Sequence, residues 1–172
     1  MINTMRNILI LFILLLEGCS SPSTDSEESK TFVNVKDEPL IERITLEDLE
    51  GKRIDLNELK GNIIFLNFWA TWCKPCIKEM PSIDAASKTL KGDSIVFILA
   101  SDEKLNKIQK FTTVQSYTFK FAHSKTSVFD LDIKALPTTM IINSEGEIVF
   151  NEIGGRDWST EKNIELIKSF KK

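Results

Sequence analysis

Residues 63–81, IIFLNFWATWCKPCIKEMP, constrain the fold more than any other stretch of this chain. Residues 63–69 are a short apolar run rich in β-branched and aromatic side chains, the pattern of a strand buried on both faces. After Thr71 and Trp72 the period changes, and from Cys76 onward Ile77, Met80 and Ile83 recur at helical spacing. A strand that passes straight into a helix leaves its junction residues at the helix N-terminus. Free N–H groups and the positive end of the dipole favour an anion there. Cys73 occupies that junction, so the stretch reads as a redox dithiol on a helix start.

Composition then narrows the class. A chain of 172 residues with 42% apolar and 27% charged residues suits one domain with a sizeable core. A formal charge of −3, with no arginine-rich stripe and no Gly-rich phosphate loop, gives no footprint for nucleic acid.

The N-terminal residues are of a different character. Arg6 precedes an unbroken apolar run of nine residues, 8–16, and Glu17, Gly18 and Cys19 follow. Nine residues cannot cross a hydrocarbon core as a helix, which needs roughly 20, so the run reads as a secretory signal. Leu16, Gly18 and Cys19 resemble the end of a bacterial lipoprotein signal, in which cleavage precedes a cysteine that is lipidated; Glu17 departs from the small or apolar residue usual at its position. Three cysteines also leave one over once Cys73 and Cys76 pair, and a lipid thioether accounts for Cys19. The other reading is ordinary cleavage with Cys19 a stray thiol or removed. Residues 20–30, SSPSTDSEESK, contain no large apolar side chain and read as a disordered tether. The expected organisation is a signal peptide at 1–18, a lipidated tether at 19–40 and one domain at 41–172.

Within that domain, residues 41–49 and 53–56 read as two short strands around Gly51-Lys52, with a helical turn at 56–59 ended by Gly61. The buried strand at 63–69 and a helix from Cys73 to Leu90, kinked at Pro81, come next. Residues 94–100 form a second buried strand, parallel to the first through a right-handed crossover. A helix is expected at 102–115, a brief strand at 119–122 and a short helix at 126–131. Ala135-Leu136-Pro137 then leads into a strand at 139–142, a turn at 143–146 and an antiparallel strand at 147–153. Ser159 is the expected cap of a last helix, 160–170. The fold class is α/β: a central mixed sheet flanked by helices, with an N-terminal strand pair and a central insertion.

The residues Phe68-Trp69-Ala70-Thr71-Trp72-Cys73-Lys74-Pro75-Cys76, then Glu79-Met80-Pro81, then Leu136-Pro137-Thr138-Thr139 and the turn 143–146 carry a family resemblance. The chain resembles the thioredoxin-like superfamily, and within it the membrane-tethered thiol-disulfide oxidoreductases of the TlpA/ResA type, over about residues 41–170. The resemblance implies a thioredoxin-like fold and no cofactor beyond a redox-active Cys73–Cys76 disulfide. It implies that Pro137 is cis and, with Leu136, offers a docking edge to an extended substrate, and that Glu79 is an active-site acid. It further implies electrons arriving from a membrane thiol donor and passing to envelope proteins such as apocytochromes c. Thioredoxin itself has a buried aspartate where this chain has Asn67, a departure that leaves proton transfer to Glu79 or water.

The chemistry of the residues is consistent with that implication. Thiol-disulfide exchange needs an attacking thiolate and a second thiol near enough to expel the mixed disulfide. Cys73 at the helix start suits the first role and Cys76, one turn in, the second. Pro75 lacks an N–H where the first turn needs none, and Lys74 adds a positive charge beside the nucleophile. Trp72 reads as contact surface and Trp69 as core. Other readings remain: an inert disulfide, half of a zinc site, a solvated Glu79, a trans Pro137. Zinc wants about four ligands, and beyond the pair the chain offers only His123 and Cys19, so no metal is expected. His123 reads as structural, and for Arg156 and Trp158, after Gly154-Gly155, no role is evident beyond packing and a loop near the active end. A thiol peroxidase and a non-catalytic surface lipoprotein are the competing functions. The first wants Thr-x-x-Cys, whereas Thr71 is only two residues before Cys73.

Overall fold

The computed structural model describes residues 38–171. The expected signal peptide at 1–18, the expected lipidation of Cys19 and nearly all of the expected tether lie outside the described residues. Among the described residues the elements are α1 (Leu40–Arg43), β1 (Leu46–Glu47), β2 (Arg53–Ile54), a 3-10 turn (Leu56–Leu59), β3 (Ile63–Phe68), α2 (Lys74–Thr89), β4 (Ile95–Ser101), α3 (Leu105–Thr112), β5 (Lys120–Ser124), β6 (Thr138–Ile142), β7 (Ile148–Ile153) and α4 (Glu161–Ser169). The strands form one mixed sheet in the order β2-β1-β5-β4-β3-β6-β7.

β3 lies inside this sheet, and every one of its residues is buried. It pairs in parallel with β4 and antiparallel with β6, so both of its edges are bonded. Alternation along β3 then divides the core in two. Ile63, Phe65 and Trp69 pack with Met80, Ile83, Ile108 and Ile167 from the three longer helices. Ile64, Leu66 and Phe68 pack with Leu46, Ala122, Leu131 and Met140, over which Leu40 and Ile41 lie. The tight turn between β6 and β7 follows from Asn143, whose Oδ1 accepts from the amides of Glu145 and Glu147, and from Gly146 at φ 90°.

Several boundaries depart from the expectation. Only Leu46–Glu47 of 41–49 is strand, because Pro39 opens a helical turn and that turn lays Leu40 and Ile41 on the second core. β2 stops at Ile54, since the Asp55 side chain accepts from Asn57 N–H and starts the 3-10 turn. α3 does not begin at Asp102, whose carboxylate instead accepts from the Val128 amide at 2.9 Å. Residues 126–131 are a run of turns, with Ser127 and Asp130 bonded to one another. Thr160, not Ser159, caps α4, because the Ser159 hydroxyl and amide are both held by Asp157. α2, by contrast, runs as expected through Pro81 as one element.

Candidate active site

β3 delivers the chain to the site. Trp69 N–H still bonds Ala100 O, after which the backbone leaves the sheet, and Cys73 N–H bonds Ala70 O at 3.0 Å to close a turn. The loop is also held from outside. Glu103 accepts from the Thr71 amide at 2.5 Å and hydroxyl at 3.1 Å, and Lys107 pairs with the same carboxylate. Burial pushes the Glu103 pKa up, but Lys107 and the Thr71 donors outweigh it and the net shift is downward. Trp72 is 68% exposed at the tip, whereas Trp69 is fully buried against Phe111 and Phe121.

Cys73 and Cys76 form a disulfide with Cα atoms 5.3 Å apart. Cys73 is the N-cap of α2, with extended backbone angles, and its Sγ accepts from the Cys76 amide at 3.3 Å. A sulfur at an N-cap takes the place that an Asp or Ser oxygen takes elsewhere. A thiolate there would hold that hydrogen bond more strongly, because charge-assisted bonds are about twice as strong as neutral ones. Both cysteines are buried: Cys73 is 4% and Cys76 0% exposed. Pro75 occupies the first turn, where its missing donor is not needed.

Glu79, one turn after Cys76, is buried at 5% exposure rather than solvated. Its Oε1 accepts from Asn67 Nδ2 at 2.9 Å, and its Oε2 from the Arg156 amide at 3.1 Å and Trp158 Nε1 at 3.3 Å. Burial raises its pKa; the Arg156, Asn67 and Trp158 donors oppose that and do not cancel it. Asn67 also donates to Thr139 Oγ1 at 2.9 Å, so its amide bridges the α2 carboxyl to β6.

The Leu136–Pro137 bond is cis. Thr138, which follows it, lies opposite Phe68, the last residue of β3. Pro137 therefore sits at the end of the sheet from which the dithiol loop departs. Its carbonyl accepts from Gly154 N–H at 2.8 Å, which ties the start of β6 to the loop after β7. That loop passes close enough to α2 that a Cβ on Gly155 would lie 3.6 Å from the Pro75 carbonyl oxygen. Between them runs a groove of about 890 Å³ lined by Lys74, Pro75, Lys78, Glu79 and Arg156 among others.

Arg156 and Trp158 are the site residues that sequence reasoning missed. Trp158 is 1% exposed, with its ring edge-on to Phe65 at 4.7 Å, and the Arg156 guanidinium lies over it at 5.2 Å. Arg156 also pairs with Glu152 and bonds Asn163. The available signal was Gly154-Gly155 before an Arg and a Trp, a permissive backbone beside two large side chains. His123 bonds Glu47 at 2.7 Å across the β1–β5 pair, a structural contact. Among the described residues no cluster of three or more His, Cys, Asp or Glu is placed to hold a metal ion.

A family model described as Redoxin matches residues 30–167. The chain belongs to the Redoxin family. Among curated relatives, this Redoxin protein is 41% identical over 128 residues to the thiol-disulfide oxidoreductase ResA of Halalkalibacterium halodurans, a match covering 72% of each chain. It is 42% identical over 108 residues to the ResA of Bacillus subtilis, covering 60% of each, so it spans less than two thirds of that relative. Among solved structures, StoA from Bacillus subtilis superposes with a TM-score of 0.57 at 25% identity, over 73% of this chain and 93% of StoA. The resemblance to thioredoxin-like proteins of the ResA kind therefore holds for sequence and fold alike.

Proposed function

We propose that this Redoxin protein is a thiol-disulfide oxidoreductase that reduces disulfides in proteins of the cell envelope. The observation that carries the reading is the Cys73–Cys76 bond at the N-cap of α2, with the Cys76 amide on the Cys73 sulfur. In the reduced protein the Cys73 thiolate attacks one sulfur of a substrate disulfide. A mixed disulfide forms, and the other substrate sulfur leaves and takes up a proton. Cys76 then loses its proton and attacks the Cys73 sulfur, which restores the bond of the present structure and releases the second substrate sulfur as a thiol. Two electrons have passed to the substrate.

Glu79 is the group that exchanges protons with the pair. It follows Cys76 by one turn, and its raised pKa brings it nearer neutrality, where a proton carrier is effective. Trp72, Lys74, Pro75 and the edge Leu136–Pro137 receive the substrate. The redox-active disulfide is the only redox group this chemistry requires. Recharging it requires a membrane thiol donor, and apocytochromes c awaiting haem are the substrate class that a ResA-like protein would serve. The apolar run at 8–16 followed by Glu17-Gly18-Cys19 supports an extracytoplasmic domain held to the membrane by lipid on Cys19.

Reduction of insulin tests the activity. The protein should accelerate the reaction with a thiol reductant, and Cys73→Ser should abolish the acceleration; undiminished turnover by that variant contradicts the assignment.

A further inference from the structure

We propose that the groove along the first turns of α2 docks an acidic polypeptide segment, with carboxylates at alternate positions beside the disulfide to be reduced. The inference rests on the oxidoreductase reading above and names the class of substrate it favours.

Lys74 and Lys78 are exposed on one wall of the groove, four residues apart and hence on one face of α2. Among the described residues neither side chain takes part in an ion pair or hydrogen bond; exposed Lys91 and Lys110 share that freedom, and what sets Lys74 and Lys78 apart is that both line one groove. Both also act against the helix that carries them. The first turn of α2 holds no acidic residue, while α4 opens with Glu161. Cations near a helix N-terminus oppose the dipole, and like charges at this spacing repel. Lys74 is accounted for by the thiolate beside it; Lys78 is not. Local rules broken at a site, with no compensating contact, point to a partner that supplies one.

The other charges of the groove are already engaged. Glu79 takes three donors from Asn67, Arg156 and Trp158. Asp157 accepts from the Ser159 amide and hydroxyl. The Arg156 guanidinium is turned to Glu152 and Asn163 and lies over the Phe150 and Trp158 rings. The two lysines are therefore the unpaired cations that a ligand meets, while Asp157, held by neutral donors only, keeps its negative charge in the same groove. Four helical residues advance about 6 Å along the axis, close to the repeat of about 6.6 Å between alternate residues of an extended peptide. A strand with acidic residues at positions i and i+2 matches both ammonium groups while its disulfide reaches Cys73, and exposed Trp72 covers its other side.

The test uses the full-length reduced protein in detergent and three disulfide-bonded peptides of equal length, with Asp, Ser or Lys at the alternate positions. Each rate is divided by the rate with hydroxyethyl disulfide, so that loss of the dithiol or of the fold appears in the divisor. At low ionic strength the Asp peptide should be reduced about tenfold faster than the Lys peptide, and Lys78→Glu should remove or invert that preference. The preference should fade at about 1 M salt, where charges are screened beyond about 3 Å. Equal relative rates for the three peptides, a preference for the Lys peptide, or a preference that survives Lys78→Glu overturns the docking proposal alone. Failure to reduce any of the four disulfides overturns the oxidoreductase reading with it.

Discussion

Asn67→Asp places a second carboxylate against Glu79. The two native residues are 1% and 5% exposed, and the contact is 2.9 Å. At an effective dielectric of about 20, two unit charges at that distance repel by about 6 kcal/mol, or about four pK units. The folded variant therefore keeps one proton between the two carboxylates well above neutral pH, while its unfolded chain releases both by about pH 5. The sign follows from the proton count. Above about pH 5 the folded state binds more protons than the unfolded state, so stability falls as pH rises. One retained proton lowers stability by about 1.4 kcal/mol per pH unit, hence about 4 kcal/mol between about pH 5 and 8. The parent protein also loses stability in this direction, since the Glu79 pKa is raised, but only up to the point where Glu79 ionises. The variant's decline should continue beyond it. Urea unfolding of the oxidised protein across that range measures both slopes. At about pH 5 the two proteins should lie close, because the introduced carboxyl, when protonated, can donate to Glu79 as the amide does. Parallel curves for parent and variant refute the claim that Asn67 leaves Glu79 free of a competing charge.

Glu79→Gln removes the proposed proton carrier, so disulfide exchange near neutral pH should slow by about a hundredfold and keep only the pH dependence that the cysteine thiols themselves impose; an unchanged pH profile removes Glu79 from the chemistry. Lys74→Ala should make the couple less oxidising by about 10–20 mV, as expected for one exposed charge beside the thiolate, and equilibration against a glutathione buffer reads the shift; an unchanged potential excludes the lysine. Trp158→Phe deletes the indole donor to Glu79 Oε2 and should destabilise by about 1–3 kcal/mol while pushing the Glu79 pKa further up. Thermal unfolding and the pH profile of exchange check the two effects, and a profile that does not move reduces Trp158 to packing.

The sequence made the reacting centre legible because its signals are local. The change of period after Trp72, the two cysteines one turn apart and the X-Pro-Thr before β6 need no knowledge of what packs where. The short elements were harder. At 41–49 a helical turn and a two-residue strand divide a run whose composition suits strand throughout, and the packing of Leu40 and Ile41 decides between them. Ser159 and Thr160 are both good caps by type, and only the prior engagement of Ser159 with Asp157 separates them. The support of Glu79 was not legible at all. Its partners Arg156 and Trp158 stand 77 and 79 positions away along the chain, and Asn67 reaches Thr139 on a third element. No periodicity reports such contacts, which follow from β7 ending beside α2.

In the proposed mechanism Cys73 attacks and Cys76 resolves. The most direct measurement is mass spectrometry of the Cys76→Ser protein after reaction with a disulfide-bonded substrate. A mixed disulfide should accumulate on Cys73. A substrate adduct that fails to accumulate, while Cys73→Ser traps one on Cys76 at the parent's rate, contradicts that mechanism.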